Sequence, residues 1–330
     1  MNKMTPNQKK ISVALATYNG AEFLSKQIQS LLEQTVLPDE IVISDDNSSD
    51  STIGILNEYQ SMYPNVIKVI KNRNNVGYAQ NFNNALVNTV GDFVFLCDQD
   101  DVWFPNKIEY MVNLAESKPG YFVYMNDALL TDKDLNQFGF TSYEQLKKSG
   151  VDDKYFVLGC CCLLTREYLD FVLPIPMGLK SHDNWLVEIS YGIGLRYIEK
   201  KPLQLYRRYG GNVSDCISNS TVSNTRVTFF LKAFKRILAR NNNLSDESVL
   251  KSKKDFLKAL LTVKSNLPEN IEKRFESYLF EKEKELDLLQ KRISLRKKFI
   301  LFRFFFAGNI LLNRKYGDYT FVRFLRDVWG

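Results

Sequence analysis

Three carboxylates follow a run of five apolar residues in the first third of the chain. The run, residues 93–97, predicts a strand buried on both faces, and Asp98, Asp100 and Asp101 come directly after it. Carboxylates this close together are buried only where positive charge offsets them, and a divalent cation carrying a phosphorylated ligand would do so. A solvated acidic turn ahead of a helix is the alternative, because Pro105 follows closely.

The elements around these acids predict where they lie. Strand and helix patterns alternate four times in the first hundred residues, with strands expected at 11–16, 41–43, 66–70 and 93–97. Short connections and right-handed crossovers then give a largely parallel α/β sheet with helices on both faces. The carboxyl ends of three of these strands therefore bring one group of side chains to a shared edge: Tyr18, Asp45, Asp46, Asp98, Asp100 and Asp101.

Two common nucleotide-binding motifs do not occur. No Gly-x-Gly-x-x-Gly follows the first strand, and the chain has no Gly-Lys-Ser/Thr loop. A dinucleotide-binding Rossmann domain and a P-loop NTPase are therefore disfavoured. An acidic edge instead of a glycine-rich one indicates a metal ion between protein and phosphates.

The elements beyond the acidic edge are less regular. A helix is expected from Pro105, and a second one opens near residues 181–185. The remaining expectations are a strand at 121–125, an irregular polar insertion at 127–154, an apolar strand at 156–164, and a strand pair around Ile198 and 203–206 with a turn at Lys201-Pro202.

The composition indicates how the chain divides into domains and in which cellular compartment it folds. The chain has 330 residues, 45% of them hydrophobic and 25% charged, with a net charge of +6. A shift towards Lys, Arg and aromatic residues after a Ser/Asn-rich stretch predicts a domain boundary near residues 215–222, between an α/β domain over residues 1–215 and a basic, aromatic, helical region over residues 216–330. Three of the five cysteines are consecutive, at 160–162, which favours small buried residues in a reducing cytosol over a disulfide framework or a zinc site.

The C-terminal third suggests a surface role. Residues 296–306 combine basic and aromatic side chains, and Arg303 interrupts an apolar run that is too short to span a membrane. Two interpretations stay open: a segment that lies on the inner face of the cell membrane, or a helical subdomain that packs on the catalytic core or a second subunit. No early signal-peptide pattern occurs, so a cytoplasmic, peripheral location is expected. Nucleic-acid binding is not expected, because no recognised motif accompanies the basic residues.

Five segments, in order over about residues 10–215, resemble the family 2 glycosyltransferases, which have the GT-A fold. The segments are Val13–Gly20, Ile43–Ser48, Asp98–Trp103, His182–Trp185 and Tyr206–Asn212. The Asp-Gln-Asp-Asp-Val-Trp form is most similar to bacterial rhamnosyltransferase-like members that build cell-surface polysaccharides.

The resemblance implies a role for each matched position. It implies nucleotide binding by Thr17, Tyr18, Asp45, Asp46, Asp98 and Arg207. It implies Mn²⁺ or Mg²⁺ at Asp100, a general base at Asp183, and acceptor or sugar contacts from Asp101, Trp103, Gly159, His182 and Trp185. The implied reaction inverts the anomeric carbon and moves a sugar from a nucleotide diphosphate to a glycan or lipid-linked acceptor.

Chemistry supports these roles separately. Breaking the anomeric C–O bond leaves a diphosphate with growing negative charge, which a hard cation stabilises. The attacking hydroxyl must lose its proton as the new bond forms, and a carboxylate on the far side of the sugar can accept it. Structural roles compete at single positions: Asp183 could cap a helix, and the lone His182 could be buried packing.

One position departs from the family pattern. Members commonly have Tyr-Arg-x-His-Gly where this chain has Tyr206-Arg207-Arg208-Tyr209-Gly210. The missing histidine predicts weak metal binding, through Asp100, phosphates and water.

The resemblance therefore implies an inverting, metal-dependent glycosyltransferase, and its rhamnosyltransferase-like form favours dTDP-rhamnose as the donor. A transferase of the same fold that uses a UDP-sugar (galactose, glucose or N-acetylglucosamine) is the enzymatic alternative. A catalytically silent scaffold of a glycan-assembly complex is the alternative of another class, and the presence of Asp98, Asp100 and Asp183 argues against it. A nucleotidyltransferase would need a glycine-rich, basic loop after the first strand.

Overall fold

A computed structural model describes residues 9–210, 220–223, 225–228, 231, 246–264, 267–296, 300–312, 324 and 327–328. The chain divides into two compact units, one of residues 1–147 and 151–223 and the other of residues 148–150 and 224–330. The predicted domain boundary at residues 215–216 lies outside the described residues.

A mixed sheet forms the centre of the first unit. Its strands, in chain order, are β1 (Ile11–Thr17), β2 (Glu40–Asp45), β3 (Ile67–Lys71), β4 (Phe93–Asp98), β5 (Val102–Trp103), β6 (Val123–Thr131), β7 (Gln137–Thr141), β8 (Cys162–Thr165) and β9 (Arg196–Arg207). The spatial order is β3-β2-β1-β4-β8-β6-β9-β5, with β7 beside β6. Strands β3, β2, β1 and β4 are parallel neighbours, as are β6 and β9, whereas β8 is antiparallel to β4 and β6.

Helices connect and cover these strands. They are α1 (Leu24–Leu32), α2 (Thr52–Met62), α3 (Tyr78–Leu86), α4 (Lys107–Ser117), α5 (Ser142–Lys148), α6 (Arg166–Val172) and α7 (His182–Gly192). Strands β1 and β2 are apolar on both faces and almost wholly buried, because helices pack over them. Helix α1 shows the matching pattern, since it buries Leu24, Ile28 and Leu31 at helical spacing.

The predicted α/β fold is confirmed, but three local expectations are wrong. The segment 127–154 is not an irregular insertion: β6 runs on to Thr131, and β7 and α5 follow. The reason is tertiary, because β9 supplies a parallel partner for the polar end of β6, with Leu130 opposite Tyr206.

The other two corrections concern residues 156–164 and 198–206. Only Cys162–Thr165 is a strand, since residues 159–161 form a 3₁₀ turn. Strand β9 is continuous through Lys201-Pro202 instead of turning there. Pro202 is tolerated because it lies opposite Asp127, between two register shifts of the β6–β9 pair, where the ladder is irregular.

The register of the parallel strands fixes the position of the acids. Thr17 lies opposite Asp45, and Ala16 lies opposite Asp98, so β1, β2 and β4 end at the same level. The loops that leave these three strands therefore share one edge of the sheet.

The second unit is helical where it is described. Its long helices are α8 (Asp246–Val263), α9 (Glu269–Arg296) and α10 (Ile300–Leu312). Within it the fully buried Asp327 accepts hydrogen bonds from Arg292 Nε at 2.6 Å and Arg296 Nε at 2.9 Å. None of the helices in the described part of the chain is long and apolar enough to cross a membrane.

Candidate active site

A cleft of about 580 Å³ opens at the edge where β1, β2 and β4 end. Many of the predicted site residues line it: Thr17, Tyr18, Asp46, Asp98, Asp100, Gly159, His182 and Asp183. Helix α3 and the turn at 157–160 complete its walls.

Asp46 is held at one end of the cleft with most of its acceptor capacity already used. Its Oδ1 accepts hydrogen bonds from the Val76 N–H at 2.8 Å and from Asn72 Nδ2 at 3.1 Å, and its Oδ2 accepts one from the Gly77 N–H at 2.9 Å. Gly77 has a positive φ of 82°, which few other residues adopt, and this lets the loop turn its N–H towards the carboxylate. Oδ2 keeps one acceptor position, which suits a single N–H of a ligand.

Buried asparagines support Asp46, and no motif or periodicity in the sequence indicates this arrangement. Asn72 donates to both Asp46 and Asn81 Oδ1, and Asn81 Nδ2 donates to the Thr17 carbonyl oxygen at 3.0 Å. Asn84 Nδ2 then donates to Asn72 Oδ1 at 2.9 Å. The chain of amides ties helix α3 to the ends of β1 and β2.

Gln99 joins the first strand to the acidic loop. Its Oε1 accepts hydrogen bonds from Thr17 Oγ1 at 2.7 Å and from the Tyr18 N–H at 2.9 Å. The Tyr18 side chain is left 47% exposed at the cleft, so its ring is free to pack against a planar ligand.

Asp98 and Asp100 form the acidic centre of the cleft. Burial, with further contributions from Asp100 and Asp183, raises the pKa of Asp98 to about 7. Burial also raises the pKa of Asp100, and this shift is opposed by a hydrogen bond from Tyr209. The Tyr209 hydroxyl donates to Asp100 Oδ2 at 2.9 Å, so it occupies the carboxylate predicted to hold the metal.

Arg207 contacts the acidic loop from outside the cleft. It is 4% exposed, does not line the cleft, and its Nε donates to the Asp100 carbonyl oxygen at 2.7 Å. Its guanidinium also lies over the Phe23 ring at 4.7 Å.

The side chains that could bind a hard divalent cation at this edge are carboxylates. Among the described residues, ligand atoms of Asp98, Asp101 and Cys160 lie within 4.8 Å of one another. The Cys160 thiol has a pKa well above its usual value, because of its interaction with Cys161 and its burial, so it stays protonated and is a poor ligand. Within the acidic loop, Asp98 and Asp100 line the cleft, and their carboxylates offer oxygen, the ligand that Mg²⁺ and Mn²⁺ prefer.

Asp183 belongs to the first turn of α7. Ser181 caps that helix by accepting the Asn184 N–H, and its hydroxyl donates to Asp183 Oδ1. Gly159 packs directly against this turn: a Cβ at residue 159 would lie 3.2 Å from the Asp183 Cβ and 2.8 Å from His182 Nε2. The absence of a side chain at Gly159 thus allows the turn at 159–161 to approach Asp183.

His182 is buried without a hydrogen-bond partner. Its ring stacks on Phe82 with a centroid distance of 3.8 Å, and neither ring nitrogen has a partner among the described residues. Burial lowers the pKa of His182, so the imidazole is neutral near pH 7.

Five predicted site residues do not line the cleft, and Arg207 is one of them. Asp45 bonds to Ser48 through both its carboxylate oxygens, and Asp101 is fully buried beneath the acidic loop. Trp103 and Trp185 lie in the core, with Trp185 Nε1 donating to the Val172 carbonyl oxygen at 2.9 Å. Neither indole offers a face for a bound sugar, because close packing on the core covers both rings.

Lys107 is a charged residue beneath the site that the sequence patterns did not predict. It is fully buried, and its Nζ donates to Gln204 Oε1 and to the Cys160 carbonyl oxygen. A lysine in the first turn of a helix is normally solvated, so no pattern in the sequence distinguishes it.

The parallel half-sheet, its acidic edge and the facing helix α7 define a class: nucleotide-sugar transferases of the GT-A fold. The solved structure of S. aureus TarS 1–349 with UDP-GlcNAc is similar at 17% identity, covers 84% of this chain and 91% of that one, and has a TM-score of 0.54. At this identity the likeness shows the fold.

Sequence comparisons give the family. Residues 12–173 match the profile described as Glycosyl transferase family 2. The chain is 26% identical over 252 residues to the dTDP-rhamnosyl transferase RfbG of Shigella flexneri, covering 71% of this chain and 86% of the relative. It is 28% identical over 231 residues to the UDP-Glc:alpha-D-GlcNAc-diphosphoundecaprenol beta-1,3-glucosyltransferase WfaP of Escherichia coli, covering 69% and 90%. Residues 12–173 therefore form a family 2 glycosyltransferase domain, as the motifs predicted.

Proposed function

We propose that this glycosyltransferase inverts the anomeric carbon of a nucleotide-diphosphate sugar, with dTDP-rhamnose as donor and a growing surface or lipid-linked glycan as acceptor. One observation carries the proposal: Asp46, the pair Asp98 and Asp100, and Asp183 all line a single cleft. The first three lie at the ends of parallel strands, and Asp183 enters from α7.

The nucleotide would bind at the end of the cleft that holds Asp46. The one acceptor position left on Asp46 Oδ2 suits the N3–H of uracil or thymine, and a cytosine base offers no such donor. Tyr18, with its ring exposed, would pack on the base, and Asp98 would accept a hydrogen bond from the sugar of the nucleotide.

The acidic pair Asp98 and Asp100 would hold Mg²⁺ or Mn²⁺, which when bound stabilises the negative charge on the departing diphosphate. Tyr209 already donates to Asp100 Oδ2. We therefore expect weak metal binding by the protein alone, since the ion must compete with the phenol.

Asp183 is proposed as the general base. The acceptor oxygen forms a bond to the anomeric carbon, the bond to the diphosphate oxygen breaks, and the hydroxyl proton passes to the Asp183 carboxylate. General-base catalysis of this kind contributes about 10²–10⁴-fold. Asp183→Asn should therefore lose about that factor in transfer rate and keep nucleotide binding. Asp170→Asn, an exposed carboxylate on α6, is the matched control and should be unchanged.

The donor nucleotide is the first quantity to measure. The relative RfbG is named for a dTDP-sugar and WfaP for UDP-glucose, so a UDP-sugar is the second candidate. Thermal unfolding with dTDP, UDP, CDP and GDP compounds, with and without Mn²⁺, reports binding through the rise in midpoint. A shift with dTDP or UDP but not CDP supports the donor site, and the preferred base separates the two candidates. No shift with any nucleotide would favour a catalytically silent scaffold.

Membrane association is proposed for the second unit. Helix α10 exposes Phe302 (61%), Phe305 (71%) and Leu312 (85%), and the basic residues Lys297 and Lys298 precede it in the sequence. Anionic lipid would attract the basic groups while the aromatic rings insert at the interface. The protein should co-sediment with phosphatidylglycerol vesicles, and Phe302→Ser with Phe305→Ser should release it. Dimerisation without vesicle binding would instead assign this face to a second copy.

A further inference from the structure

Lys107 is a buried cation whose three donor directions are all filled. Its Nζ donates to the Cys160 carbonyl oxygen at 3.0 Å and to Gln204 Oε1, and it lies 3.8 Å from the centroid of the Trp103 ring. Two acceptor-only oxygens and a ring face match the three N–H bonds of an ammonium group. No carboxylate in the described part of the chain lies within salt-bridge distance of it.

Gln204 connects Lys107 to the acidic loop through two hydrogen bonds. With Oε1 taken by Lys107, the amide must turn its Nε2 to Asp101, and it donates to Asp101 Oδ2 at 2.7 Å. Asp101 Oδ1 accepts the Arg207 N–H at 3.3 Å. The buried Asp101 is thus fixed from both oxygens, and it directly follows Asp100, which lines the cleft.

The other bond of Lys107 reaches the opposite wall of the cleft. Cys160 belongs to the 3₁₀ turn at 159–161, and Gly159 of that turn packs on His182 and Asp183. One ammonium group therefore connects the loop that carries Asp100 with the turn that supports Asp183.

We infer that Lys107 is a positioning residue that sets the separation between the diphosphate-binding loop and the general base, acting through Gln204 on one side and the 159–161 turn on the other. This inference rests on the proposed function of the same cleft. A misplacement of about 1 Å between reacting groups can lower the rate about 10²-fold. A residue that fixes this alignment can therefore affect the transfer rate without touching the substrate.

The test compares two activities of one enzyme. Lys107→Met keeps most of the length of the side chain and removes its charge and donors. We expect glycosyl transfer to fall about 10- to 100-fold, as misalignment predicts. Hydrolysis of the donor by water should change by less than about 3-fold, because it needs no alignment of a bound acceptor. The Kd for dTDP or UDP should also change by less than about 3-fold, because the end of the cleft that holds Asp46 and the nucleobase is remote from Lys107. Lys118→Met, which removes an exposed lysine from the end of α4, should change nothing.

A second variant guards against failure to fold. Gln204→Met leaves the bond from Lys107 to Cys160 and removes both bonds of the amide, the one from Lys107 and the one to Asp101. The same split between transfer and hydrolysis is expected. The double variant should lose less than the product of the two single losses, because both act through one chain of contacts. Equal losses of transfer and hydrolysis, loss of nucleotide binding in both variants, or full retention of transfer would each overturn the inference.

Hydrogen–deuterium exchange provides a readout that does not depend on turnover. Lys107→Met should increase exchange in peptides covering residues 98–104 and 157–163 together, while Lys118→Met should not. A change confined to one segment, or to neither, contradicts the proposed link. If wild-type protein turns over no nucleotide sugar but Lys107→Met still shows this paired change, the proposed function fails and the connection by Lys107 stands.

Discussion

Removal of the Tyr209 hydroxyl should tighten metal binding. The phenol donates to Asp100 Oδ2 at 2.9 Å, and burial together with the Asp100 charge raises the pKa of Tyr209, so the phenol keeps its proton and remains a donor. A divalent cation that takes Oδ2 must first displace this hydrogen bond. Tyr209→Phe removes the competitor, while the packing of the ring against Phe23, with centroids 5.0 Å apart, can persist.

The size of the effect follows from the hydrogen bond. A bond to a charged group contributes about 1.5–3 kcal/mol. At about 1.36 kcal/mol for each factor of ten, Mn²⁺ should bind about 10- to 100-fold more tightly to Tyr209→Phe. Tyr209→His should tighten binding as well, since an imidazole can add a ligand of its own.

The assay is titration of Mn²⁺ alone, and then in the presence of dTDP or UDP, followed by the electron paramagnetic resonance signal of the free ion. Tyr63→Phe removes a hydroxyl from a surface tyrosine and serves as the matched control. Unchanged or weaker Mn²⁺ binding by Tyr209→Phe would refute the reasoning, because it would show that the ion does not compete for Oδ2. Full wild-type activity of metal-free enzyme in chelator would refute the metal requirement itself.

Three further predictions concern other contacts. Gly159→Ala would place a methyl group 2.8 Å from His182 Nε2, so the rate of transfer should fall about 10-fold or more. The Kd for dTDP or UDP should stay within about 2-fold, and steady-state kinetics and calorimetry measure the two quantities. Asn72→Ala removes a donor to Asp46, so UDP or dTDP should bind about 10-fold more weakly by calorimetry, with CDP unaffected. Burial raises the pKa of Asp127 to about 6, so the native state binds its proton more tightly and the free energy of unfolding falls as pH rises from about 4 to 6, by up to about 3 kcal/mol. Urea unfolding across this range should show Asp127→Asn gaining stability relative to wild type as pH rises, and a constant difference would contradict it.

Local patterns in the sequence predicted the half of the site that parallel strands build. Strands β1, β2 and β4 are apolar runs separated by helical segments, and right-handed crossovers leave little choice about which ends meet. These patterns alone therefore assign Asp46, Asp98 and Asp100 to one edge of the sheet. The same patterns failed at β6 to β9, because these strands are defined by partners distant in sequence instead of by their own periodicity.

The sequence alone determined the order of the elements over the first hundred residues, the family that the motifs match and the set of acids that a nucleotide sugar would need. Tertiary structure decided which of two adjacent carboxylates faces the cleft: Asp46 does, while Asp45 turns back to Ser48. It also decided that Lys107 is buried beneath Asp101, with Gln204, 97 residues further along the chain, as its partner. Periodicity encodes which side chains leave water, but contacts between polar groups depend on how distant segments pack, and no local pattern records that.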